Sequence, residues 1–365
     1  MLTKKLWFQA GVGILLALLI MKYFMEINWI FAPLLIIAKT IFVPLLLGAV
    51  LFYVTEPLQR FLEKYKMPRW GSILTILISV AAVIWLFISI IGPPVIHQVN
   101  NLAKSAPYIA KEITIQTENL LEALQHRENL PEQLNDMIDK AVNSIQSIAV
   151  VFGKLIVQFF QSVFQTAFTL ILVPFFFIFL LKDHEKFAPF IYNFFSGKRR
   201  VWVKKTLHDM DRVLRTYIQG QLLISLILAS IMFIGYLIIG LEYALLLVIF
   251  AFFMNVIPFI GPWIAFTPAL IIAFLDPDPQ KMVIWVCIIT LVAQQTDSNL
   301  ITPNIMGKTL DIHPLTVITV ILAAGNIAGF LGILLSIPAY AVGKVVLKNI
   351  YDRRKEIKLA ATKDV

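Results

Sequence analysis

Long apolar runs broken by short polar stretches dominate this chain. A membrane helix needs ~20 mostly apolar residues. Such windows occur at Trp7–Met25, Trp29–Val54, Gly71–Ile91, Val151–Leu181, Tyr217–Leu241, Tyr243–Leu275 and Leu315–Leu347. An eighth run, Met282–Ala293, continues into polar sequence. The pattern predicts an all-α polytopic membrane protein with about eight hydrophobic segments. The first run follows Lys4 and Lys5 as a signal peptide would, but Lys22-Tyr23-Phe24-Met25-Glu26 offers no small-residue cleavage site, so it is read as a span.

Between the third and fourth runs lies a stretch with no window long enough to span. Ile109, Ile113, Leu120 and Leu124 recur there at helical spacing, as do Leu134, Ile138, Val142 and Ile145 after Pro131. Two amphipathic helices are predicted, packing on each other and on the span ends as a cap. The order suggests N-terminal spans over 1–95, an extracytoplasmic helical segment over 96–150 and a fourth span with a basic helix over 151–216. A core over 217–347 and a basic tail over 348–365 complete the division.

Composition agrees: 59% of residues are apolar and 15% charged, which no ordinary soluble domain of this length shows. The net charge of +9 does not point to nucleic acid, because the basic residues are segregated by loop. Arg60, Lys64, Lys66 and Arg69 follow the second run, Lys182 through Arg215 the fourth, and Lys344 through Lys358 the last. The positive-inside rule makes these regions, and both termini, cytoplasmic. Residues 96–150 are acid-rich and are expected outside. The basic 182–215 stretch, with Trp202, Leu207, Val213 and Leu214 interleaved, suits an interfacial helix on anionic lipid headgroups. Cys287, the one cysteine, can form no intrachain disulfide.

Inside the apolar run 243–275 stands Asn255-Val256-Ile257-Pro258-Phe259-Ile260-Gly261-Pro262. Lipid cannot satisfy an opened backbone, so such a break survives only inside protein or beside a water-filled cavity. Pro258 removes a donor, Gly261 permits positive φ and Pro262 can start a new helix. Each half of the run makes ~22 Å of helix, short of ~30 Å of hydrocarbon but enough for a re-entrant hairpin. Residues 315–338 can be read the same way, with a tip near Gly325 and Asn326; close packing of Ala324, Gly325, Ala328, Gly329 and Gly332 is the simpler reading of those small residues. For the first break the competing reading is a proline kink in an ordinary span.

Downstream, Gln294-Gln295-Thr296-Asp297-Ser298-Asn299 interrupts membrane sequence. Gln294 and Asp297 share a helical face, as do Gln295 and Asn299, so two polar stripes can face a cavity. An intramembrane carboxylate is by default an ion, proton or solute ligand; at headgroup level Asp297 would instead cap the Pro303 turn. His313-Pro314 reads as a turn into the last run, and Gln219 and Gln221 as amides orienting a helix end. There is no phosphate-cradling loop, no histidine pair at metal spacing and no Gly-x-Ser-x-Gly elbow. Neither an enzyme, a cofactor, a metal nor ATP-driven pumping is expected.

In this order and spacing, Tyr217-Ile218-Gln219-Gly220-Gln221, Ile257 through Pro262, Gln294-Gln295 with Asn299, Pro303-Asn304-Ile305-Met306-Gly307-Lys308, His313-Pro314 and Gly325 through Gly332 to Pro338 are specific. The chain resembles the autoinducer-2 exporter family over nearly its whole length. The resemblance implies a multispan protein of the bacterial inner membrane that forms a homo-oligomer, a pentamer being the size it suggests. Family members are linked to export of a small polar signalling molecule and, in some cases, to sodium–proton exchange. The expectation is a secondary transporter of a small polar solute, with Asn255, Pro258, Gly261, Gln294, Gln295, Asn299, Gly325 and Asn326 as solute-binding residues. The alternatives are Na+(Li+)/H+ antiport, with Asp297 as the ion-coupling residue, and a membrane scaffold that binds a partner through its outer cap.

Overall fold

The computed structural model describes residues 6–26, 28–102, 104, 151, 154–161, 172–307 and 312–363. The predicted cap helices at 109–124 and 134–145 lie outside them. Helices α1 (Leu6–Glu26), α2 (Asn28–Lys64) and α3 (Arg69–Leu102) come first, α3 carrying a π-helical turn at Phe87–Ile91. Residues 154–161 form α4, followed by α5 (Leu172–Tyr192), α6 (Gly197–Ile239), α7 (Ala244–Met254), α8 (Ile260–Phe274) and α9 (Pro279–Thr296). A second π-helical turn, Asp297–Ile301, leads into the short α10 (Thr302–Met306) and then α11 (Pro314–Lys363). No strand occurs among the described residues. Thr40–Lys64, Arg69–Leu102, Gly197–Ile239 and Pro314–Glu356 are long and apolar enough to cross a membrane, so this is a multi-pass membrane protein.

The chain divides into two compact units. The smaller comprises Met1–Phe52 and Ala167–Leu181. Within it Gly48 lets α2 approach α5 closely, since a Cβ there would stand 3.0 Å from the Phe176 Cβ. The larger comprises Tyr53–Thr166 and Lys182–Val365 and holds the main apolar core, where α6 packs on α7, α9, α10 and α11.

The basic stretch expected to lie on the headgroups is not a separate helix. α6 runs unbroken for 43 residues from Gly197 to Ile239, about 65 Å at 1.5 Å per residue. Only about half of it fits within ~30 Å of hydrocarbon, so the basic half continues the span outward. Near the middle of α6, Arg215 meets the buried Glu56 of α2 at 2.7 Å and Asp211 at 2.7 Å, and Tyr53 donates to Asp211.

Both apolar runs suspected of folding back do so. α7 and α8 pack on each other across the non-helical residues Asn255–Phe259. Tyr243 follows directly on the α6 C-terminus, and at the far end of α8 Asp276 and Asp278 share a cleft with Ile238 and Ile239. The hairpin therefore begins and ends at one end of α6, which excludes the kinked-span reading. In α11 the helix breaks at Ala328 (φ −132°, ψ 17°) and Gly329 (φ 60°, ψ −142°). Eight residues of straight helix would separate Ala324 from Gly332 by about 12 Å. Instead a Cβ on Gly332 would overlap the Ala324 carbonyl oxygen, so the chain reverses. This tip lies at Ala328–Gly329, past the expected Gly325–Asn326, because Gly329 takes the left-handed conformation that the turn requires.

Candidate functional site

The Gln219-Gly220-Gln221 triplet fixes the site from the α6 side. Gln219 donates to the Tyr53 carbonyl at 2.6 Å, Gly220 sits 3.2 Å from Met306 of α10 as judged by an added Cβ, and Gln221 donates to the Asn255 carbonyl at 2.7 Å. The last bond holds the first hairpin tip about 27 Å along α6 from its C-terminal end, 18 residues at 1.5 Å each. Gln221 satisfies a carbonyl at the C-cap of α7 that the helix itself leaves open.

The tip differs from its sequence reading in one respect. Positive φ falls on Phe259 (64°) and not on Gly261. Gly261 is required for another reason, because a Cβ there would overlap the Met254 carbonyl oxygen and come within 2.7 Å of its carbon. A bulky residue at positive φ costs about 1–3 kcal/mol and persists where surrounding structure holds it. Here the turn is held by Ile257 N–H to Met254 O at 2.9 Å and Gly261 N–H to Ile257 O at 3.0 Å.

Beside this tip lies a cavity of about 370 Å³. From α6 it is lined by Tyr217, Gln221, Ile224 and Leu228, and from the tip by Asn255, Pro258, Phe259 and Pro262. Gln294, Asp297, Ser298 and Thr302 line it from the end of α9, and Met306, Gly307, Ile312, Val317 and Ile337 complete it. Asn255 and Tyr217 are each 4% exposed, and neither the Asn255 Oδ1 nor the Tyr217 hydroxyl has a hydrogen-bond partner among the described residues. Unpaired buried polar atoms are costly, so water or a solute in the cavity is their natural complement. The α8 N-terminus opens beside it with no side-chain cap.

Asp297 lines the cavity and accepts a 2.6 Å hydrogen bond from Thr302. The π-helical turn makes this pair: its wider register brings Thr302, five residues on, round to the Asp297 face. The second polar stripe does not reach the cavity. Gln295 and Asn299 lie on the exposed side of the helix, where Asn299 donates to the Gln295 side chain at 2.9 Å. Gly325 and Asn326 also stand apart from it; Asn326 is exposed and donates to Leu322 O at 3.0 Å. Of the sequence candidates, the structure thus gathers Asn255, Pro258, Gln294 and Asp297, with Gly261 beneath the turn. His313 accepts from Leu315 N–H at 3.2 Å, the turn role expected of it.

Tyr217 and Thr302 were not singled out by the sequence as cavity residues. Tyr217 had a signal, one helical turn before Gln221; the Thr302 contribution depends on the π turn, which no helical projection at 3.6 residues per turn reveals.

The family model "AI-2E family transporter" matches residues 12–352. "Putative transport protein YueF" of Bacillus subtilis (strain 168) is 34% identical over 357 residues, covering 96% of this chain and 95% of that protein. "Putative transport protein YrrI" of the same organism is 30% identical, covering 98% and 100%. "Putative permease PerM" of Escherichia coli (strain K12) is 24% identical over 83% of this chain and 86% of its own length. Matched almost from end to end by the family model and by both Bacillus subtilis proteins, this chain belongs to the AI-2E transporter family.

Proposed function

We propose that the protein is a secondary transporter that exports a small polar solute through the cavity beside the first hairpin tip. The observation that carries this reading is the pair of buried, unpartnered polar atoms, on Tyr217 and Asn255, in a cavity formed at a helix break. A broken helix at bilayer depth whose open backbone meets a cavity is how secondary transporters bind solutes. The volume, about 370 Å³, suits a small molecule. Autoinducer-2 is the solute suggested by the family description, and it enters here as the first substrate to test. The basic loops and both termini are placed on the cytoplasmic side of a bacterial inner membrane. The protein is expected to work as a homo-oligomer.

Purified protein in liposomes tests this directly. Autoinducer-2 flux should fall in Tyr217→Phe and Asn255→Ala, while Gln295→Ala, on the far side of the helix, should transport as the parent does. Equal flux in all four proteins would remove the cavity from the mechanism.

Sodium–proton exchange is a second reading, favoured by one observation: Asp297 is the one carboxylate among the described lining residues. It predicts that Asp297→Asn abolishes sodium-driven pH change in everted vesicles. The scaffold reading rests on residues 96–150, nearly all outside the described residues, and gains no support from the cavity.

A further inference from the structure

A second cleft, of about 500 Å³, lies at the end of α6 remote from the basic arm. Gly235, Ile238 and Ile239 line it from α6, and Met282, Trp285 and Ile289 from the first turns of α9. Asp276, Asp278 and Lys281 form its rim. Its depth in the bilayer follows from the helices. The apolar part of α6, Tyr217 to Ile239, extends about 33 Å, 22 residues at 1.5 Å each, so Ile239 stands where ~30 Å of hydrocarbon ends. The charged rim is therefore at headgroup level and the apolar wall at the level of acyl chains. Ile238, 79% exposed, faces outward there as a lipid-contacting residue does. Trp285 lies about 9 Å along α9 from Pro279, six residues in, at the boundary depth where indole rings concentrate. The floor is tight, since a Cβ on Gly235 would stand 2.7 Å from Ile289.

The charges on the rim do not cancel one another. Asp276 and Asp278 each use one carboxylate oxygen to accept from a backbone N–H, that of Asp278 at 3.0 Å and that of Lys281 at 3.4 Å. The other oxygen of each, and the Lys281 ammonium, have no partner among the described residues. Opposite charges that share one cleft without pairing fit a ligand that carries both signs. Two carboxylates against one ammonium also disfavour a headgroup of net negative charge.

We propose that this cleft binds one zwitterionic aminophospholipid, with its primary ammonium on Asp276 and Asp278, its phosphate on Lys281 and an acyl chain along Ile238, Trp285 and Ile289. A primary ammonium brings three N–H donors to the two open carboxylate oxygens, and such charge-assisted bonds are the strong ones. A trimethylated ammonium brings none, and a glycerol headgroup leaves the phosphate charge uncompensated beside two carboxylates. Bound there, the lipid ties the loop between α8 and α9 to the end of α6, at the base of the first hairpin. The site lies about 27 Å along α6 from Gln221 and is independent of the transport reading.

Full-length protein, stripped of lipid in detergent, is given phosphatidylethanolamine, phosphatidylcholine and phosphatidylglycerol of identical acyl chains in equal amounts, and the lipid retained is counted by native mass spectrometry. The parent is expected to retain phosphatidylethanolamine about five- to tenfold over each of the others, the range one charge-assisted hydrogen bond supplies. Asp276→Asn with Asp278→Asn removes both charges and keeps the oxygens that accept from backbone, so the fold and the α9 N-cap persist while the preference vanishes. Lys281→Gln should lower retention of all three lipids together and leave their ratio to the carboxylates. Equal retention of the three lipids by the parent, or a preference that survives in the double asparagine variant, overturns the proposal. A melting temperature in lipid-free detergent that matches the parent shows that each variant is folded.

Discussion

Gly261→Ala adds one methyl group at the tightest point of the first hairpin. The new carbon would overlap the Met254 carbonyl oxygen and approach the Asn255 Cα to 3.1 Å, so the obstacle is backbone that cannot rotate away. Overpacking of this kind costs about 1–3 kcal/mol. Displacing the turn also strains the bonds from Ile257 N–H to Met254 O and from Gln221 to Asn255 O, each worth about 1 kcal/mol net. Alanine's better helix propensity returns at most about 1 kcal/mol. The balance is a loss of about 2–4 kcal/mol, a shift of about 30- to 1,000-fold toward a displaced tip at 1.4 kcal/mol per decade. Thermal denaturation in detergent should show a clear drop in melting temperature, and Val256→Cys in the same background should label faster. Gly343→Ala is the control: nothing lies within 4 Å of a Cβ there, so the melt should hold or rise. A Gly261→Ala protein that melts with the parent and protects Val256→Cys equally would refute the steric argument.

Other contacts set three further outcomes. Gln221→Leu strands the buried Asn255 carbonyl and should cost about 1–3 kcal/mol, read as a lower melting temperature. Arg215→Ala leaves Glu56, 1% exposed, with the largely exposed Arg60 as its ion-pair partner among the described residues; the loss of about 3 kcal/mol should be partly recovered in an Arg215→Ala, Glu56→Gln double variant. At the basic end of α5, the hydrogen bond from Arg69 holds the Glu185 carboxyl below its ordinary 4.5. A depressed carboxylate stabilises the fold above its unfolded value and loses that contribution as pH falls through the lower folded value. Because Glu185 is 63% exposed, the effect stays within about 1 kcal/mol, and Glu185→Gln should slightly flatten the acid limb of a pH–melting profile.

The apolar windows and their loop charges made the membrane class legible, since span length is fixed by bilayer thickness and not by tertiary detail. The first break was legible too, because Asn255, Pro258 and Gly261 are costly together inside hydrocarbon. The residue that takes positive φ was not: Phe259 bears it, as the surrounding hydrogen bonds override the local preference for glycine. Ala324 through Gly332 offered several permissive positions for the second turn, and contacts across the hairpin, such as Gly325 on Ile333, decide among them. The polar stripes were half legible. Gln294 and Asp297 do face the cavity, but the Gln295 and Asn299 stripe lies on the exposed side, and the π-helical turn admits Thr302 in its place. The extent of α6 was hidden because charge and amphipathicity describe a helix face and say nothing of whether the helix ends at the bilayer.

α6 binds three partners at consecutive residues and runs on for some 20 residues to Trp202, whose indole donates to the Asn349 carbonyl at 3.0 Å. A rod with no hinge along that length cannot absorb a push locally. Any force applied at its outlying basic arm therefore arrives at Tyr217 and Gln221 as a shared displacement, making the projecting half a lever whose short end is the floor of the cavity.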